Sequence, residues 1–159
     1  MARTTSNEDR HVVTKGSDHE AYATEPDVCR PPGGSPQPFP NWVNSSKLKK
    51  GETVITFIDG ESIWTSIGEL GPLSEPAHAG TAGGVVSGTY RFEARPTSFS
   101  RDLFFEGNAA VRAFDTTTQN HGNTIGLVIP SELADELRAL MEECLKNASA
   151  SGAPFIAAR

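Results

Sequence analysis

Apolar rhythm starts late in this chain. Residues 1–26, "MARTTSNEDRHVVTKGSDHEAYATEP", are mostly polar and charged with no sustained period, which predicts a polar, flexible N-terminal arm. From Asp27 to Thr124 the apolar positions come in short runs separated by glycine, the signature of a turn-rich β-structure. "ETVITFIDGESIW" (Glu52–Trp64) is two β-rich runs meeting at Asp59-Gly60, a pair suited to the two left-handed positions of a type I′ hairpin. "VVSGTYRFEA" (Val85–Ala94) alternates Thr89, Arg91 and Glu93 with Tyr90, Phe92 and Ala94, which predicts a strand with one buried face. "DLFFEGNAAVRAFD" (Asp102–Asp115) repeats the aromatic, acid, glycine, return-run order of the first hairpin. A two-copy repeat and an ordinary antiparallel meander account for that likeness equally well.

Beyond Thr124 the period changes from two to three and four. Leu133, Leu137, Leu140, Met141, Cys144 and Leu145 follow Pro130-Ser131, a helix-start signal, and predict an amphipathic helix over about 131–147 within a C-terminal extension, 125–159. One helix cannot cover its own stripe. It must brace the β-part or dock a second protein through Leu133, Leu137, Leu140 and Met141, and both readings stand.

Composition narrows the picture. Fifteen glycines and 11 prolines in 159 residues exceed ordinary usage and agree with a fold dominated by turns. Net charge is −6 and no third of the chain is basic, which argues against a nucleic-acid partner or an anionic membrane surface. No run reaches the length and apolarity of a membrane span, and the N-terminus lacks the apolar core of a secretory signal, so the expectation is a protein made in the cytoplasm without membrane insertion. Cys29 and Cys144 are then expected as free thiols. The glycine-rich "AGTAGGVVSGT" (Ala79–Thr89) lacks the Lys-Ser/Thr ending of a phosphate loop and leads into a strand-like segment, so close backbone packing explains it better than nucleotide binding.

Four motifs occur in one order: Asp27-Val28-Cys29 followed by the proline-rich Pro36-Gln37-Pro38-Phe39-Pro40-Asn41; the block Gly80–Thr89; Glu106-Gly107 with Val111-Arg112 and Asp115; and Thr118-Gln119-Asn120-His121. In that order they resemble the PAAR-like proteins of type VI secretion, those with a "PxPYPN"-type element, with Phe39 in the usual tyrosine place. The resemblance covers 27–124 and neither flank. It implies a small, conical, mainly β tip domain that caps and sharpens the trimeric VgrG spike and helps load or deliver an effector, with no catalysis of its own. It also implies localisation: cytoplasmic before firing, then outside the cell.

Related PAAR tips hold zinc near the apex through histidine and cysteine, which makes Cys29, His121 and His78 the candidate ligands here. Gln119 stands where the family's closing cluster often has histidine, and a structural zinc ordinarily takes four ligands. A zinc-bound tip and a metal-free tip, with Cys29 as a buried thiol and His121 bonded to its turn, both remain open. Two further functions compete with the spike tip. The helix and arm could make the chain a cargo adaptor, chaperone-like in action. As a minor alternative, Cys29, His121 and Asp115 could form a cysteine-dependent hydrolase set, although Cys29 is bracketed by prolines and does not open a helix, where its thiolate would be favoured.

Overall fold

The computed structural model describes residues 5–73 and 80–150. It is mainly β, with a curled sheet and a C-terminal helix. Thirteen strands are formed among the described residues. Seven make one antiparallel sheet in the order β6 (Trp42–Asn44), β3 (His19–Ala23), β13 (Thr124–Pro130), β12 (Thr116–Gln119), β9 (Ala94–Pro96), β8 (Glu61–Leu70) and β7 (Leu48–Ile58). Three two-stranded ribbons complete it: β1 (Ser6–Asn7) with β2 (Arg10–His11), β4 (Asp27–Cys29) with β5 (Gln37–Phe39), and β10 (Phe104–Phe105) with β11 (Asn108–Ala109).

The two glycine hairpins form as their sequences predict. Ile58 pairs with Glu61 across Asp59 (φ 52°) and Gly60 (φ 81°), and Phe105 pairs with Asn108 across Glu106 (φ 53°) and Gly107 (φ 81°). Both are two-residue turns with both central residues left-handed, the geometry that matches the twist of the flanking strands.

The arm expected over residues 1–26 is built into the fold from Ser6 onward. β3 pairs with β13 on one side and β6 on the other, all five of its residues are buried, and Val13 and Ala21 lie in the main core with Trp64, Leu70, Val111 and Val128. β13 is likewise central, between β3 and β12, so the sheet runs through Thr124 and no extension begins there. The flanks are adjacent strands because each supplies the backbone hydrogen bonds that the other requires for burial.

The strand expected at Val85–Ala94 is mostly turn, and only β9 begins at its end. Gly83 (φ 92°) and Gly88 (φ 69°) reverse the chain, and the Gly84 N–H donates to Thr89 O while Gly88 N–H donates back to Gly84 O. Period-two alternation cannot register such a reversal.

The helix α1 (Ser131–Ala150) begins where Pro130 ends β13. Its Ser131 N–H donates to Asp18 O and its hydroxyl to the Asp18 carboxylate. Ala134 and Leu137 pack on Tyr22, Trp42, Leu127 and Ile129. Arg138 lies over the Trp42 ring at 4.8 Å and bonds Glu20 and Asp135, so the first two turns are fastened to β3 and β6. Leu133 faces outward in part, and Leu140 is 61 % exposed. Met141 belongs to the helix, and its side chain lies outside the described set.

Candidate functional site

Three of the four sequence motifs meet at one buried carboxylate. β4 brings Asp27 inward, fully buried, and three asparagine side chains donate N–H to it. Asn41 comes from the end of the proline element, Asn120 and Asn123 from the turn between β12 and β13. Asn120 and Asn123 each do a second task. Asn120 sits at φ 49°, and its carbonyl oxygen accepts from the Thr89 hydroxyl at 3.0 Å and the Phe92 N–H at 3.1 Å. The Asn123 carbonyl oxygen accepts the N–H groups of Val86 and Ser87, and its amide also donates to Val28 O at 3.0 Å. A single carboxylate thus ties the opening hairpin, the glycine block and the closing turn together. Charge-assisted hydrogen bonds of this kind are about twice as strong as neutral ones.

The glycine block gives this knot its room. A Cβ on Gly84 would come within 2.3 Å of the Asn123 side chain, and one on Gly80 within 2.5 Å of the Cys29 Cβ. Close approach, not phosphate binding, is what the glycines accomplish here.

Cys29 lies beside the carboxylate, 1 % exposed, packed on Phe39, with its sulfur accepting from the Asn120 amide at 3.6 Å. Burial foremost, then the charge of Asp27 and a hydrogen bond to it, pushes the thiol up to about 12. Such a thiol is protonated and shielded. His121 follows Asn120 in the chain, but its ring is half-exposed, edge-on to Phe92 at 5.4 Å, with Nδ1 3.4 Å from the Glu93 carboxylate. The turn therefore directs Asn120 to Cys29 and His121 to the surface. His78 lies outside the described residues.

Cys29 and His121, the two described candidates, do not converge as zinc ligands. Among the described residues no three His, Cys, Asp or Glu side chains group as a metal would require, and the sulfur's polar neighbours are amides and a carboxylate already engaged with three N–H donors. Gln119 is fully buried, with neither side-chain amide atom paired among the described residues.

A second knot holds the third motif. Arg112 and Asp115, both buried, pair with each other. Asp115 also accepts from its partner's backbone N–H at 2.8 Å, from Ser98 at 3.0 Å and from Arg10 at 3.0 Å. Arg112 in turn donates to Asn7 and pairs with Glu8. This knot fastens β1 and β2. Arg112 and Asp115 were visible in the sequence as a motif, while Asn7, Glu8 and Arg10 carried no signal, because polar residues in a short ribbon have no apolar period. Asp115 is committed to two arginines and is not joined to Cys29 or His121 as a hydrolase set would need.

The third motif's glutamate does something different. The Glu106 carboxylate accepts the successive backbone N–H groups of Val54, Ile55 and Thr56 at 2.8–3.0 Å, and these bonds, led by Val54's, hold its carboxyl below the usual range. Around this clasp the surface is apolar. Val54 is 73 %, Ile55 82 % and Phe57 51 % exposed on β7, with Ile67 of β8 and Phe104 of β10 also exposed. β7 is an outer strand of the sheet, where apolar side chains beside an open edge are ordinarily avoided unless a partner covers them.

Residues 21–126 match the family described as Toxin PAAR-like domain. No curated protein and no solved structure matches the chain. The match takes in the Asp27 knot, the Arg112–Asp115 pair and the Glu106 clasp together with most of the sheet, and the chain belongs to the Toxin PAAR-like domain family.

Proposed function

We propose that this protein is a non-catalytic tip of a type VI secretion spike, capping the VgrG trimer and leaving the cell with it. The observation that carries this reading is the apolar edge of β7. Val54, Ile55 and Phe57 cluster within four positions on an outer strand, and Glu106 of the family motif fixes the backbone of Val54 and Ile55. The blunt end of a β-structured spike presents apolar side chains, and a cap with an apolar edge covers them. Family membership supports a spike-complex partner in general. The chemistry of Cys29 supports a tip without catalysis, since a buried thiol held near 12 is not a nucleophile at neutral pH.

Sedimentation of the protein mixed with purified VgrG trimer tests this. The expected complex has one tip for three spike chains, because a cap on a threefold axis excludes a second. No complex, or one tip per spike chain, would reject the reading.

A second role is favoured by the divided helix. Its first turns brace the sheet through Ala134, Leu137 and Arg138, whereas Leu140 lies uncovered beyond them. The distal half of α1 is then where an effector or adaptor would dock, with Leu140 at its near end. Leu140→Asp is expected to remove captured cargo and leave spike capping unchanged; Leu137→Asp is expected to loosen the helix itself.

A further inference from the structure

A cleft of about 840 Å³ lies between the β7–β8 turn, the β2 segment and the start of α1. Four carboxylates line it, Asp18, Asp59, Glu61 and Glu132, and no lysine or arginine is among its described lining residues. Acidic walls alone would be unremarkable on a chain of net charge −6. The independent observation is His19. It lines the cleft, is only 4 % exposed, and its Nε2 has no partner among the described residues.

The state of that ring follows from its other nitrogen. His19 Nδ1 lies 3.0 Å from Ser17 O, and a carbonyl only accepts, so Nδ1 carries the hydrogen. The Ser17 hydroxyl, also 3.0 Å away, gives its own proton to Thr14 O and cannot donate to the ring. Burial keeps the ring neutral by lowering its proton affinity, outweighing Asp18 and Glu132. Nε2 is therefore a bare lone pair on a buried ring that lines an acidic cleft, with the His11 ring edge-on to its own at 6.2 Å. Asp18 is ionised, held so by N–H and O–H donors from Asn44 and Ser131.

We infer that this cleft binds a cationic N–H donor, the ammonium or guanidinium of a lysine- or arginine-bearing peptide segment on a partner protein. Such a group supplies the donor that Nε2 lacks and the positive charge that four carboxylates favour. The volume lies within the range that holds a peptide side chain with its flanking backbone. This assignment stands apart from spike capping, since it uses neither Val54, Ile55 and Phe57 of β7 nor the helix's distal half.

The test uses isotope-labelled full chain and two probes, Ac-Gly-Lys-Gly-Lys-Gly-NH2 and its counterpart with glutamate for lysine. The lysine peptide is expected to shift the His19 ring nitrogens and the amides of residues 16–18 and 59–61, and the glutamate peptide to shift none of them. Glu61 and Glu132 are exposed, so Glu61→Gln with Glu132→Gln leaves the fold intact and is expected to weaken lysine-peptide binding about five- to tenfold. Equal response to both peptides, no response at millimolar lysine peptide, or an unchanged affinity in the double variant would overturn the inference. So would stoichiometric Zn2+ shifting the ring where the lysine peptide does not.

Discussion

Asp27 shows how one residue can carry a family's motifs. Its carboxylate is saturated by amides from three separate segments, and removing one donor leaves a buried acceptor site open. Asn120→Ala is expected to cost about 2 kcal/mol, seen as a melting point lower by about 4–8 °C in calorimetry. Gln119 gives the opposite sign. Both its amide atoms are buried and unpaired among the described residues, so Gln119→Met is expected to leave stability unchanged or raise it by about 1 kcal/mol, read in the same experiment. Cys29 makes stability depend on pH. Its folded value is raised from 9.0 to about 12, so the unfolded chain loses the thiol proton first as pH climbs. The stabilisation is complete below 9.0 and disappears towards 12. Urea titrations at pH 8 and pH 10.5 are expected to show wild type losing more stability over that interval than Cys29→Ala, whereas equal losses would show a thiol that ionises freely in the fold. At this scale the sequence announced the participants and not their roles. Asp27, Cys29, Asn41 and Asn120 all fall in recognisable motifs, yet cysteine and histidine attract a metal reading that asparagine does not. Hydrogen-bonding partners across some ninety positions leave no mark on local spacing.

Elements were legible where a period or a turn dictated them. Asp59-Gly60 and Glu106-Gly107 form their hairpins, and α1 runs from Ser131 as its leucines predict. β3 was illegible because "HEAYA" offers two alanines and a tyrosine where a buried strand ordinarily shows branched aliphatics, and its burial comes from neighbours on both sides. Val85–Ala94 failed in the other direction, since its alternation is real but glycines reverse the backbone beneath it. The Glu106 clasp is an element-level device that sequence could not reveal, joining one hairpin's turn to another hairpin's strand. Glu106→Gln is expected to speed hydrogen exchange at the Val54, Ile55 and Thr56 amides selectively, with the amides of β13 unchanged. Uniform exchange throughout the sheet would show that the clasp supports the whole fold instead.

For the whole molecule, the division into arm, tip and extension gives way to one sheet whose central strands come from both flanks. The Arg112–Asp115 knot and the Asp27 knot close it from two places through hydrogen bonds and ion pairs. This matters for function because a cap must be rigid before it meets its partner: ordering a loose surface on binding subtracts from affinity. The knots spend motif residues on rigidity and leave β7's apolar edge, the distal helix and the acidic cleft as the separate faces proposed to meet other proteins. The central claim is that the β7 edge meets the spike, and the affinity of Ile55→Asp for the VgrG trimer tests it most directly. Ile55 is 82 % exposed, so the melting point is expected to stay at the wild-type value while binding weakens at least about thirtyfold, the loss of a hot-spot side chain. Wild-type affinity in a folded Ile55→Asp variant would contradict the claim.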